Sequence, residues 1–361
     1  MSRLEPPFDA VDAHGMTARI AAIPDDITRQ LAHLATHRWR LPADPTLLAV
    51  GAMGGSAIAA ELTRGLAGDR CPRPLLLVRD YAWPACVRDR ALALLCSYSG
   101  GTEETLALYR DASARGVGRV AITTGGTLGA WCTRDAVSFA TVPGGSPPRA
   151  ALFPAWVTLT HLLAALGWID DPSDGWRAAA ELLRARERVL GAAVPESSNP
   201  AKQLARALEG RRVFVYAASE RIGALATRLR QQLNENAKLL GHSATVPELN
   251  HNEIVGWESP GEAWRGAAVV MLRDPEDRPE VMTRLALTGE YVASQGATVH
   301  VVEPPAGPRL SRMAALVQFA DYVSLYLAFL RGVDPTPIAS IDAFKRRLAE
   351  HAAAQPGSDG V

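Results

Sequence analysis

The stretch "CSYSGGTEETL", Cys96 to Leu106, decides how this chain is read. It follows the wholly apolar run "ALALL", so a buried strand ends in hydroxyls and glycines and a helix opens on two acids. A second loop has the same build: "GAMGGSA", Gly51 to Ala57, closes the apolar run "TLLAV" and starts a helix. In an open parallel sheet, ligands sit beyond the carboxyl ends of the strands, where both loops fall. A helix N-terminus there offers unpaired N–H groups and the positive end of a dipole, which favours an anion. Gly54 and Gly55 let the backbone come close, and Ser56, Ser97, Ser99 and Thr102 add hydroxyl donors. Neither loop holds a lysine or a metal-binding acid, which suits a monophosphate better than a triphosphate. Two other readings stand beside this one. Ser99 or Thr102 can simply cap the helix, with Glu103 and Glu104 serving its dipole. A nucleotide is the second: Asp80 ends the next strand pattern, where a ribose-binding acid would sit, but Met53 stands where a G-x-G-x-x-G fingerprint needs its second glycine.

Outward from these loops the pattern alternates. "PLLLV", "RVAITT" and "AVSFATV" read as further strands and "TEETLALYRDASARG" as a helix. The first forty residues are helical, with Ile20, Ile23, Ile27 and Leu31 at helical spacing. Ala150 to Leu190 is helical apart from Gly167 to Gly175, and "PESSNP", Pro195 to Pro200, marks a boundary. Beyond it the alternation restarts: strands "RVFVYAAS", "GAAVVML" and "TVHVVE", with helices "ERIGALATRLRQQLNENAKLL" and "RPEVMTRLALTGEYVASQG" between them. Helices over about 311–331 and 341–354 close the chain. The two halves follow one pattern, although the second lacks the glycines and the Ser-x-Ser run. The expected fold is α/β: two doubly wound parallel-sheet units with flanking helices, residues 1–194 and 195–361.

A formal charge of zero leaves no basic stripe for nucleic acid. Apolar runs are broken by Arg, Asp or Gly before the roughly eighteen residues a membrane span needs, so no membrane is expected. The four cysteines form no CxxC pair, and no secretory signal opens the sequence, which reads as reduced thiols in a cytoplasm.

"GAMGGSAIAAEL", "SYSGGTEET" and "ITTGGTLGAW" resemble sugar isomerase (SIS) domains, which bind phosphosugars. "NENAK", "PELNHNEIVGW", "SPPRA" and "DAFKRRL" narrow the resemblance to the bifunctional phosphoglucose/phosphomannose isomerases of archaea and bacteria, from about Leu47 to Leu348. The resemblance implies SIS-type subunits and phosphate held by Gly55, Ser56, Ser97, Ser99 and Thr102. It carries the catalytic glutamate onto Glu235, the histidine onto His251, the arginine onto Arg149 and the C-terminal lysine onto Lys345. It also implies a homodimer in which His251 crosses the interface, a phosphorylated sugar as substrate, and no cofactor. Two positions depart from the family pattern: Ser146 replaces a residue that is often tyrosine, and Ile338 a hydroxyl, which Thr336 can supply instead.

Aldose–ketose interconversion needs ring opening, a base that moves a proton between C1 and C2, stabilisation of the enediolate, and a phosphate grip. Glu235 fits the base; as an isolated residue it would read as a surface glutamate, but Asn234, Asn236 and Asn252 crowd amides where charges are usual. His251 can pass a proton to the ring oxygen or serve as a structural loop histidine. Glu253 can orient it. His242, Glu248, His251 and Glu253 can also be read as a metal set, but their spacing fits no helical ligand pair, so no metal is expected. Arg149 can neutralise an enediolate or sit at a helix start after Pro147 and Pro148. Lys345 by itself reads as part of a solvated face, "KRRLAEH". The expected reaction joins glucose 6-phosphate or mannose 6-phosphate to fructose 6-phosphate. A silent phosphosugar-binding protein, or an isomerase of an amino or shorter sugar, are the alternatives.

Overall fold

The computed structural model describes residues 3–219, 221–258 and 263–354. Two helices, α1 (Met16–Ala21) and α2 (Ile23–Thr36), lead into β1 (Leu47–Ala52), α3 (Gly54–Ala67), β2 (Leu75–Val78) and β3 (Ala91–Ser97). Then follow α4 (Glu103–Ala114), β4 (Gly118–Thr123), α5 (Gly126–Arg134) and β5 (Ser138–Thr141), and the pair α6 (Leu152–Ala165) and α7 (Ser173–Leu190). The second half runs α8 (Pro200–Leu208), β6 (Arg212–Ala218), α9 (Gly223–Glu235), β7 (His242–Val246), α10 (Glu253–Gly256), β8 (Ala267–Leu272), α11 (Pro279–Ser294) and β9 (Thr298–Val302). It ends with α12 (Arg309–Arg331) and α13 (Ala339–Ala354).

The strands form two parallel sheets, ordered β2-β1-β3-β4-β5 and β7-β6-β8-β9. β3 and β8 are buried at every residue, as strands covered on both faces must be, and this is why they read as unbroken apolar runs. The expected α/β architecture is therefore present. β7 was not expected: it is an edge strand with only Val246 fully buried, so its sequence "HSATV" carries no apolar run. α8 was not expected either. It begins inside the expected boundary segment, where Asn199 accepts from the N–H groups of Ala201 and Lys202 at 3.0 and 3.2 Å and Pro200 fills the first turn.

The largest core runs through both halves, from α2, α3, α6 and α7 to β6, α9 and α12. α12 is long and apolar enough to cross a membrane, a length the broken-run reading did not allow, yet 94% of its apolar window is buried inside the fold against α7, α8 and α9. α3 packs on α9, with Gly65 near the end of α3 set against the Arg221 carbonyl just before α9, so the start of α3 lies toward the end of α9.

Candidate functional site

The two glycine-rich loops meet a third turn. Carbon at the β position of Gly55 would lie 3.2 Å from the Pro148 carbonyl oxygen, so the start of α3 presses directly on the 3₁₀ turn Pro148–Ala150. Gly55, Ser56, Cys96, Tyr98, Pro148 and Ala151 line one small cavity of about 10 Å³. In the second loop Gly100 has φ +67°, and a Cβ there would fall 1.9 Å from the Gly125 carbonyl oxygen, so glycine is required. Ser97 and Thr102 share a hydroxyl–hydroxyl hydrogen bond of 2.8 Å, while Ser99 Oγ accepts from the Gly101 N–H at 3.2 Å. Ser97 Oγ also accepts from the Thr102 N–H at 3.4 Å, so these hydroxyls bond within the loop itself. Thr102 occupies the N-cap of α4 and Met53 that of α3, but neither helix start is closed by a side-chain hydrogen bond. Among the described residues no side chain accepts from the first-turn N–H groups of either helix, an arrangement that can receive an anion.

Arg149 is only 3% exposed and lies outside any long helix. Its Nε donates to Asn236 Oδ1 at 2.7 Å, and its Nη2 to the carbonyls of Pro335 and Thr336 at 2.6 and 2.7 Å. Nη1 faces Glu235 Oε2 at 3.4 Å. Burial pulls the guanidinium below its ordinary pKa and the Glu235 charge opposes this; a guanidinium remains charged regardless. Glu235 closes α9 with its side chain 29% exposed, so a carboxylate reachable by solvent stands beside a fixed buried cation. Asn236 donates in turn to Ser324 Oγ at 3.0 Å. Thr336 Oγ1 is buried with no hydrogen-bond partner among the described residues.

Behind this pair lies a support that the sequence did not disclose. Arg228 holds Asp321 with a bidentate pair, Nε to Oδ1 at 3.1 Å and Nη2 to Oδ2 at 3.0 Å, and its Nη2 also donates to the Arg149 carbonyl at 2.7 Å. Gln232 donates to the same carboxylate at 2.8 Å. Burial pushes the Asp321 carboxyl up, and Arg228 and Gln232 oppose that shift. One signal was present: Asp321 is an acid in the apolar stretch "LVQFADYVSLYLAFL", where an unpaired charge is prohibitive. Lys238 was passed over as well; its Nζ bonds the carbonyls of Glu235 and Pro337 at 2.6 and 2.7 Å.

Two expected residues stand apart. His251 is exposed, in the turn after β7, and its side chain makes no hydrogen bond to a described residue; the Lys345 side chain is exposed on α13 and likewise makes none. Glu253 does not orient His251 by contact. Its two oxygens meet Tyr216 and His242 instead. Among the described residues no three His, Cys, Asp or Glu side chains converge as a metal site requires. Ser146 accepts from Arg19 Nη1 at 2.9 Å through its hydroxyl and donates its N–H to Tyr98 Oη at 3.0 Å.

Paired parallel α/β units with hydroxyl loops at the strand ends define the SIS fold class. Tagatose-6-phosphate ketose/aldose isomerase from Escherichia coli superposes with a TM-score of 0.69, at 16% identity over 90% of this chain and 97% of that one. The bacterial phospho-glucose isomerase C-terminal SIS domain matches residues 197–348. Bifunctional phosphoglucose/phosphomannose isomerases from Caldicellulosiruptor bescii and Aquifex aeolicus are 39% and 31% identical to it, covering 82% and 83% of this chain and 88% and 89% of theirs. The chain belongs to the bifunctional phosphoglucose/phosphomannose isomerase family.

Proposed function

We propose that this protein is an aldose–ketose isomerase of hexose 6-phosphates, converting glucose 6-phosphate and mannose 6-phosphate to fructose 6-phosphate through an enediolate and without a cofactor. The observation that carries it is the solvent-reachable Glu235 carboxylate 3.4 Å from the buried Arg149 guanidinium, beside two helix starts without side-chain caps. In this reading Gly55, Ser56, Ser97, Ser99 and Thr102 grip the phosphate. Glu235 moves the proton between C1 and C2, and Arg149 meets the negative charge that develops on the oxygens. The unpaired Thr336 hydroxyl is the sugar-side contact that Ile338 lacks. Residues 1–194 thus supply the phosphate grip and Arg149, and residues 195–361 supply the base.

His251 opens the ring from a second copy of the chain, and Lys345 joins it. Support comes from their exposure and from the open apolar side chains of α13, Ile341, Phe344 and Leu348. The four cysteines are free, which suits a reducing cytoplasm. Glu235→Gln tests the assignment in a coupled assay on glucose, mannose and amino-sugar 6-phosphates. The variant should lose about 10²–10⁴ in kcat and keep its KM. A variant that turns over at the parent rate removes Glu235 as the base.

A further inference from the structure

Ring opening by His251 needs that side chain to approach the ring oxygen from one direction, yet no hydrogen bond from a described residue holds the imidazole itself. An exposed histidine in a free turn would spread over many positions, and a misplacement of about 1 Å is enough to cost orders of magnitude in rate. Order must therefore come from the backbone on either side. One residue before His251, Asn250 donates Nδ2 to Thr288 Oγ1 of α11 at 2.8 Å, next to the buried Leu249. Two residues after it, Glu253 uses both oxygens. It accepts from Tyr216 Oη at 2.6 Å and from His242 Nε2 at 2.9 Å. Trp257 is 2% exposed and donates Nε1 to the same Tyr216 oxygen at 3.0 Å.

The partners sit on one face of the sheet. Phe214 pairs with His242 and Tyr216 with Ala244 in the β6–β7 register, so these four side chains point the same way. Aromatic rings wall the network: Phe214 lies 5.0 Å from Trp257, 5.7 Å from Trp264 and 5.7 Å from His242, centroid to centroid. An ionised carboxylate can only accept, so Tyr216 supplies its hydroxyl hydrogen and His242 its Nε2 hydrogen. An apolar residue at position 253 would cover this face without the desolvation a carboxylate costs. A carboxylate with both oxygens engaged adds direction, which sealing an edge strand does not need.

We propose that Tyr216, Glu253 and His242 are positioning residues for the isomerase reaction: they pin α10 to the β6–β7 face and so fix the approach of His251 to the sugar ring oxygen. The proposal rests on the ring-opening role given to His251 above. None of the three touches substrate; they act through the backbone between residues 250 and 257.

The test compares Glu253→Ala, Tyr216→Phe, His242→Ala and His242→Gln with His251→Ala. Each is assayed on glucose 6-phosphate and on 4,5-dideoxyglucose 6-phosphate, which has no hydroxyl that can close a five- or six-membered ring. Thermal melts confirm that each variant is folded; Tyr216→Phe and His242→Gln keep the packing if Glu253→Ala does not fold. Glu253→Ala and Tyr216→Phe should lower kcat on glucose 6-phosphate about 10–100-fold with little change in KM, and leave the rate on the dideoxy sugar nearly unchanged. His242→Gln, which still donates to Glu253, should recover most of what His242→Ala loses. Equal losses on both sugars, or a rise in KM alone, would show a structural role and overturn the proposal. So would full activity in the Glu253 and Tyr216 variants while His251→Ala is slow on glucose 6-phosphate. If His251→Ala itself keeps the parent rate on glucose 6-phosphate, the ring-opening assignment fails first and the positioning role falls with it.

Discussion

Replacing Arg149 with lysine keeps the positive charge and removes the planar fork. In the parent the fork reaches Asn236 Oδ1 at 2.7 Å, the Pro335 and Thr336 carbonyls at 2.6 and 2.7 Å, and Glu235 at 3.4 Å. One ammonium cannot serve these directions at once. The Pro335 carbonyl retains Lys238 at 3.4 Å, so two buried acceptors are left without partners. At about 1–3 kcal/mol for each orphaned buried group, folding should lose about 2–6 kcal/mol. The charge also moves from the place where the enediolate oxygen forms. Losing one preorganised donor of this kind costs about 10²–10³ in kcat, or roughly 3–4 kcal/mol. Thermal melts and a coupled isomerase assay measure the two losses separately. Leu183→Ala, in the buried core, supplies the control: it should cost about 2–5 kcal/mol of stability with kcat unchanged. If Arg149→Lys behaves like that control, destabilised but within about threefold of the parent kcat, Arg149 only holds Asn236 and the 335–336 turn, and the electrostatic role is wrong.

Ser97→Ala combined with Thr102→Ala deletes the 2.8 Å hydroxyl pair and the 3.4 Å bond from the Thr102 N–H to Ser97 Oγ; KM for the sugar phosphate should rise, each donor being worth about 1–3 kcal/mol to a charged group, and an unchanged KM in a folded variant would leave the hydroxyls a purely structural role. Asp277 tests linkage. Burial, with the Asp274 charge adding to it, raises its carboxyl pKa to about 6 from 3.8. The folded state therefore holds this proton more tightly than the unfolded chain, and stability falls as pH rises from about 4 through about 6. Asp277→Asn keeps an acceptor for the Asp274 N–H, so it should raise the Tm above pH 7 by a free energy of at most about 3 kcal/mol and bring no gain near pH 4. An equal Tm difference at both pH values refutes the linkage.

What could be read in the sequence alone was local. Strands such as β3 and β8 are buried on both faces, so their apolar runs state their own position, and the period change into α3 and α4 marks each turn. Glycines of the loops were legible for the same reason, because a positive φ at Gly100 or a close approach at Gly55 restricts the residue type at that one position. β7 failed this test: a half-exposed edge strand needs no apolar run. The partners of Glu235 and Arg149 were beyond any such reading. Arg149 bonds Asn236 and Pro335, which are 87 and 186 positions away, and the contacts exist only because α9 lies between α3 and α12. Arg228 and Gln232 look like the polar face of a surface helix until α12 brings Asp321 against them. Glu253 shows the same limit: the sequence put it beside His251, while the sheet turned its carboxylate to Tyr216 and His242. Periodicity and turn chemistry are short-range and leave their mark on neighbouring residues. The direction of a side chain across a packed interface is set by how whole helices and sheets settle on one another, and only the tertiary structure decides that.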